Sequence, residues 1–441
     1  MFDLAMKLRR SPNPGSSKWT IVTASFLLVS ILSCGISGCE GSPGETSATA
    51  QSVTTVGSSD DWPRWGGPAR DLISTETEWL TDWAKNPPVQ VWESQIGIGF
   101  SSMAIVDGRL YTMGYRNGQD HVWCLDASTG EEVWKHAYDA KLYDNLHEGG
   151  PGCTPTVANG NVWTLSRDGQ LFCLNAQDGS VKWQRNVVED SGVEPGQWGL
   201  TSSPMLSDGR LLLEVGRVMA YDPSTGDVLW RGESYKPGYG SVTPFSWEGR
   251  DLVASLNNEK VVVLDVTNGE EVASYDWTSQ FDTSGTSPIV ADDSIFLSCG
   301  YNAGCTLLQL KGNELLRVYK SREMSNHMAN CVLTEGVLYG IDGNSHNSRV
   351  CRLVCMDYQT GDVKWFERGF GCGTVMLAGD RLLILSDAGE LVVAKASSEQ
   401  FEELGRHTLL DGRCWTVPVL LNGRIFARNA AGRLVCAQLP N

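Results

Sequence analysis

The sequence predicts an all-β fold, an eight-bladed β-propeller of four-stranded antiparallel blades, and three observations predict it. First, one phrase recurs: an apolar run ending in Leu-Asp or an equivalent, a turn closed by Gly, then Trp. It reads Cys124-Leu125-Asp126, Gly130, Trp134; Cys173-Leu174-Asn175, Gly179, Trp183; Ala220-Tyr221-Asp222, Gly226, Trp230; and Cys355-Met356-Asp357, Gly361, Trp365. The glycines Gly130, Gly179, Gly226, Gly269, Gly312, Gly361 and Gly405 lie 43 to 49 residues apart, the length of a propeller blade. Second, Asp-Gly or Asn-Gly stands between paired apolar runs, as at Asp107-Gly108, Asn159-Gly160, Asp208-Gly209 and Asn422-Gly423. These dipeptides make tight hairpins because both turn residues take positive φ. Third, eight apolar runs open on a small residue or Pro, near Ser102, Thr154, Ser203, Thr243, Ser287, Asn330, Gly373 and Val417. Each reads as the innermost strand of one blade.

Taken in order, residues 1–38 form a targeting segment rather than part of the fold. Lys7, Arg9, Arg10 and Lys18 precede the apolar stretch from Trp19 to Ile36, the layout of an export signal. The stretch ends in Ile36-Ser37-Gly38-Cys39, which resembles the bacterial lipobox of an aliphatic residue, two small residues and Cys. That resemblance implies cleavage before Cys39 and a lipid on its thiol. An uncleaved membrane anchor is the alternative, since the run is nearly long enough to span. Residues 39–60, rich in Ser, Thr and Gly, read as a flexible tether. Either way the remainder, 61–441, is exported and membrane-anchored. Glu40 stands where an inner-membrane retention signal would place Asp, so the outer membrane is preferred.

Val89-Gln90-Val91-Trp92 reads as the last strand of a blade whose first three strands are missing. The segment from Pro418 to Leu439 reads as a blade lacking its last strand. Joining them closes the ring and removes exposed sheet edges. Counting from the turn glycine, Ala273 and Leu316 fall where Trp is expected, and Leu404 takes a similar place in the eighth repeat.

The repeat residues read as structural. Trp92, Trp134, Trp183, Trp230 and Trp365 can pack between blades, where a large ring buries the most area. The Asp or Asn before each turn can accept turn N–H groups. Cys124, Cys173 and Cys355 share one repeat position, so they pack as small hydrophobes, and Cys436 does the same. Cys351 and Cys355 read as one strand face, about 13 Å apart and too far to bond. Cys153, Cys331, Cys372 and Cys414 fall at inner-strand starts and leave a disulfide around the axis open.

The formal net charge of −17 argues against a nucleic-acid partner, which requires cationic surface. Function is expected where the repeat is interrupted. Loops before the inner strands converge on the axis, and there the chain places His147, Glu148, Trp198, His327, Asn330 and Trp415. The tryptophans can stack on a planar ligand and the others can hold it by polar contacts; a channel filled by packed loops and water is the alternative. No His pair has zinc-ligand spacing, so no metal is expected from the residues alone. The stretch Gly343 to Ser348 reads as an exposed surface loop.

The apolar-Asp-x-x-Thr-Gly-x-x-x-Trp phrase in eight units resembles the pyrroloquinoline-quinone (PQQ) repeat family. The opening Asp61-Trp62-Pro63-Arg64-Trp65-Gly66-Gly67-Pro68 is similar to the start of many PQQ-like envelope propellers. Two branches imply different functions. Quinoprotein alcohol dehydrogenases carry PQQ and calcium at the axis; that branch implies an oxidoreductase with His147, Glu148, Trp198, His327 and Trp415 around a planar quinone. The propeller lipoproteins of the outer-membrane β-barrel assembly machinery carry no cofactor and act as scaffolds. This chain lacks the adjacent cysteine pair and long insertions of the first branch, so the second is expected: a monomeric, non-catalytic, lipid-anchored scaffold that recruits envelope proteins.

Overall fold

The computed structural model describes residues 61–441. The signal segment, Cys39 and the tether lie outside the described residues. The described chain builds eight antiparallel blades of four strands, one of which takes on a fifth, parallel strand. In chain order they are blade 1 (104–139), blade 2 (156–186), blade 3 (205–231), blade 4 (243–276), blade 5 (289–321), blade 6 (332–368), blade 7 (374–408) and blade 8. Blade 8 joins 419–438 to the N-terminal strand Val89–Gln95, with Trp92 opposite Cys436. The ring is therefore closed by the two ends of the chain, as the sequence predicts. The inner-strand starts also fall where the sequence places them.

A single device locks blade to blade. In each outer strand a bulge precedes the Trp position, and Trp then stands opposite a small residue: Trp134 opposite Cys124, Trp183 opposite Cys173, Trp230 opposite Ala220. The indole lies flat on the turn glycine of the next blade. Cβ atoms added at Gly130, Gly179, Gly226 and Gly269 would stand 2.6, 2.5, 2.7 and 2.4 Å from Trp92, Trp134, Trp183 and Trp230. These glycines have φ of 74–77°, a left-handed conformation that glycine adopts without Cβ strain. Each indole N–H donates to the carbonyl after the repeat Asp or Asn, as from Trp134 to Ala176 O at 3.0 Å and from Trp230 to Val266 O at 2.9 Å. The Asp itself orders the turn: Asp126 Oδ1 accepts from the N–H groups of Ser128 and Thr129 at 2.8 and 3.0 Å.

Three positions differ from the sequence reading. In blade 5 the Trp position belongs to Tyr319, not Leu316. The bulge lies between the pairs Leu307↔Tyr319 and Leu308↔Arg317, Tyr319 packs on Gly361, and Leu316 is 44% exposed. The blade uses a two-residue hairpin at Gly312-Asn313 in place of the longer Asp turn, so counting from the glycine fails. In blade 7 Gly405 is not a turn residue. It lies inside the outer strand Glu403–Thr408, opposite Val393, at the Trp position itself, and Leu404 does not stand in for Trp. The space over Gly405 is filled by Trp83, from the segment before blade 8, with its ring 3.2 Å from where a Cβ would be. Ala273 does hold the Trp position, as the sequence predicts, opposite Val263, and it is buried in an apolar cluster with Leu308, Leu310 and Leu315.

The segment 61–74 crosses the propeller on the face where the first hairpins turn. Trp62 bridges to Ile105 of blade 1, Pro63 O accepts from Val157 N of blade 2, and Arg70 donates to Pro244 O of blade 4. Ile73–Ser74 then adds a parallel strand to the inner edge of blade 7. The 11 described cysteines are buried and carry free thiols; Cys351 ends a 3-10 turn rather than sharing a strand with Cys355.

Candidate functional site

In an up-and-down blade, alternate turns share a face. The loops that enter each inner strand and the turns between second and third strands therefore meet at one end of the axis. There they enclose a cavity of about 370 Å³. His147, Trp198, His327, Asn330 and Trp415 all line it; Glu148 does not. Glu148 lies beside it and is tied to Arg413 by a 2.7 Å ion pair.

The walls are aromatic. Phe100 stacks on Trp415 at 5.6 Å between ring centroids, and His147 meets Phe100 edge-on at 5.3 Å. Arg413 sits 4.4 Å over the Trp415 ring, a cation–π contact. Across the cavity Trp198 meets Tyr239 at 5.5 Å, and Tyr301 contacts His327 at 4.9 Å and stacks on His346 at 5.5 Å. The floor is entered by Trp65 of the crossing segment.

The histidines are held neutral. Nδ1 of His147 accepts from Gly149 N at 3.0 Å, and Nδ1 of His327 accepts from Ser345 N at 3.1 Å. Their remaining proton is therefore on Nε2. Burial, chiefly, lowers both pKa values to about 4, because desolvation disfavours the imidazolium. Arg167 is 5% exposed and donates to the carbonyls of Gly150 and Trp198. Burial lowers its pKa to about 10.

A belt of hydrogen bonds runs around the axis. Thr154 N donates to Ser203 Oγ, Ser203 N to Ser241 Oγ, Ser241 N to Ser287 Oγ, and Ser287 N to Asn330 Oδ1, all at 2.9–3.0 Å. Asn330 returns a bond from Nδ2 to Ser287 O at 2.9 Å. Its amide thus joins blade 5 to blade 6, a structural task that the sequence reading did not foresee.

Sequence reasoning missed Arg167, Tyr301 and His346. They lie on turns between second and third strands, which share the face of the predicted loops. His346 and Ser345 belong to the 343–348 stretch, which lines the cavity instead of being only a surface loop. The signal was available in strand order: second-to-third turns emerge where outer strands hand over to inner ones.

The donor set does not fit a calcium-held quinone. Among the described residues no Asp or Glu lines the cavity, and calcium takes oxygen ligands that are largely carboxylates. Among the described residues no cluster of three His, Cys, Asp or Glu is arranged around a metal position.

Comparison with known proteins places these features in a family. The family model described as "Outer membrane protein assembly factor BamB" matches residues 76–312 and 147–367. A protein named outer membrane protein assembly factor BamB from Shewanella oneidensis is 24% identical over 340 residues, covering 72% of this chain and 79% of that protein. Quinoprotein alcohol dehydrogenase PedH from Pseudomonas putida is 30% identical over 139 residues, covering 29% of this chain and 21% of that protein. The crystal structure of BamB from Moraxella catarrhalis superposes with a TM-score of 0.58 at 17% identity, covering 80% of this chain and 98% of that one; at that identity the likeness bears on the fold. The eight-bladed ring and its repeat locks agree with the family match, and the chain belongs to the PQQ-like repeat family described as outer membrane protein assembly factor BamB.

Proposed function

We propose that this chain is a lipid-anchored, non-catalytic propeller of the cell envelope that binds other proteins of outer-membrane assembly. The observation that carries the reading is the breadth of the match. The Shewanella relative aligns over 79% of its length, whereas PedH aligns over 21%. The absence of carboxylates from the cavity lining agrees with a non-catalytic role. Ile36-Ser37-Gly38-Cys39 supports lipidation at Cys39, with the propeller on the periplasmic side of the outer membrane. Leu146 and Phe281, 82% and 59% exposed, stand on the face of the cavity mouth. Both hold left-handed φ near 66°, a conformation that costs a bulky residue free energy, and both offer apolar surface to a partner at that face.

The test is a photocrosslinker at Leu146 or Phe281 in intact cells, beside one at Leu229 on an outer strand. An envelope protein captured from the first two and not the third is expected. Capture of nothing from any position would refute the scaffold reading. In parallel, purified protein supplied with PQQ and calcium is expected to reduce no dye with alcohols, and turnover would refute the non-catalytic assignment. Replacing Cys39→Ser is expected to release the protein from the membrane fraction.

A further inference from the structure

We propose that Cys351 and Cys372 are the two halves of a disulfide that staples blade 6 to blade 7, closed by exchange with an external disulfide. The first observation is position. Cys351 directly precedes the third strand of blade 6, Arg352–Asp357, and Cys372 stands at the entry to the inner strand of blade 7, Thr374–Ala378. Cys351 N donates to Ser348 O at 3.0 Å, and a Cβ at Gly343 would stand 2.6 Å from Cys351 Sγ. Across the seam Cys372 N donates to Asp387 Oδ2 at 3.0 Å, and Asp387 N donates to Phe370 O at 3.0 Å. Both backbones are thus pinned, and between them the Cys372 thiol donates a hydrogen bond to the Cys351 sulfur. Sulfurs in such contact need only a short further approach to reach the bond length of about 2.05 Å.

The second observation is selectivity. Cys124, Cys173, Cys355 and Cys436 each stand opposite a repeat Trp in their own blade. Cys305 and Cys331 turn to methionine sulfurs at 3.9 and 3.3 Å. Among the described cysteines, only Cys351 and Cys372 meet thiol to thiol. The bond also has a mechanical use. The excursion between the second and third strands of blade 6 buries none of its residues from Ser345 to Val350, and the disulfide anchors its base to the next blade.

The third observation is chemistry. The hydrogen bond from Cys372 holds the Cys351 thiol below the ordinary thiol range, and the same bond, with burial, pushes Cys372 well above it. The thiolate is the nucleophile in exchange, so Cys351 attacks and Cys372 resolves. Cys351 forms an S–S bond to one sulfur of the external disulfide, whose own bond breaks and releases one thiol. Cys372 then attacks the Cys351 sulfur of this mixed disulfide, the Cys351–Cys372 bond forms, and the second thiol leaves. The two cysteine protons pass to the two departing thiolates; the cysteines are oxidised and the external disulfide is reduced. The residues are 1% and 2% exposed, so closure belongs to folding, before the seam is sealed. Disulfide oxidants of this class act outside the cytoplasm. The cellular setting therefore rests on the exported placement proposed above, whereas the pairing rests on the seam itself.

The experiment refolds the full chain from urea over reduced and oxidised glutathione, blocks free thiols with iodoacetamide, and maps tryptic peptides without reduction. Peptide 350–352, which holds Cys351, is expected to be joined to peptide 369–381, which holds Cys372. Its absence, or Cys372 joined to any other cysteine, would overturn the proposal. The two cysteines lie 372 − 351 = 21 residues apart, and closing a loop of that length is expected to raise Tm by about 4 °C over the reduced chain. Cys351→Ala is expected to abolish this redox difference and Cys414→Ala to keep it; an unaltered chain that forms the bond with no change in Tm would overturn the stapling of the seam. In a separate arm, cells that make the protein are quenched with acid before blocking. The bond found in the refolded chain but missing in cells would count against the exported placement and leave the pairing standing.

Discussion

Replacing Trp83 by Ala removes a lock that the repeat itself does not encode. Trp83 is 2% exposed, lies over Gly405, and contacts Trp79 at 6.1 Å between ring centroids. An indole buries about 200 Å², and at about 25 cal/mol per Å² its burial is worth about 5 kcal/mol. Large-to-small core changes of this kind cost about 3–5 kcal/mol. Unfolding entropy of about 2.1 cal/mol/K per residue over roughly 380 residues converts this to a fall in Tm of about 4–6 °C. Leu80→Ala, three residues earlier and 48% exposed, is the control and is expected to move Tm by less than about 1 °C. The assay is thermal unfolding followed by tryptophan fluorescence and by calorimetry. A Trp83→Ala shift no larger than that of the control would refute the reasoning, because Trp83 would then contribute nothing to the seam between blades 7 and 8.

Three further outcomes are expected. Gly179→Ala, at φ 74° with its Cβ 2.5 Å from Trp134, is expected to cost about 2–4 kcal/mol in urea unfolding; Gly209→Ala, also left-handed but in open space, is expected to cost only about 1 kcal/mol, and equal losses would show that the ring contact adds nothing. Tyr319→Phe is expected to cost about 1 kcal/mol through the lost hydrogen bond to Tyr358 O at 3.1 Å, while Leu316→Ala stays within about 0.5 kcal/mol; the reverse order would restore the register read from the sequence. The pKa of His327 falls from 6.5 to about 4 on folding, so the unfolded chain binds its proton first and this contribution to stability is lost as pH drops from about 6.5 toward 4. Asp120, whose carboxyl burial pushes up to about 7, acts in the opposite sense, but it is common to both proteins. His327→Asn is therefore expected to flatten the acid side of the Tm–pH curve relative to the unaltered chain, and parallel curves would contradict the assignment.

The repeat was legible because its parts are local. Asp126, Gly130 and Trp134 stand within one hairpin, and each position has a physical duty that only a few residue types perform. Legibility ended where a lock became non-local. Nothing near Gly405 in sequence announces that Trp83, more than 300 residues earlier, fills its space. At Tyr319 the difficulty was different: a shortened turn and a retained bulge change the count from glycine to ring, and periodicity alone cannot follow a change in turn length. The candidate site was half legible for a related reason. Loops entering inner strands, such as those carrying His147 and Trp415, interrupt the repeat and draw notice. Arg167 and Tyr301 sit in ordinary short turns, and only the alternation of strand direction brings them to the same face. Asn330 lay at a predicted position, yet its amide joins blades, because a belt that runs around an axis has no signature along the chain.

The segment 61–74 lies across one face of the ring and sends Trp65 into the cavity floor. A backbone laid over that end of the axis, with one indole turned inward, makes the two faces of the ring unlike: the mouth of the cavity presents loops from several blades, while the opposite face is crossed by fourteen residues that precede the first blade.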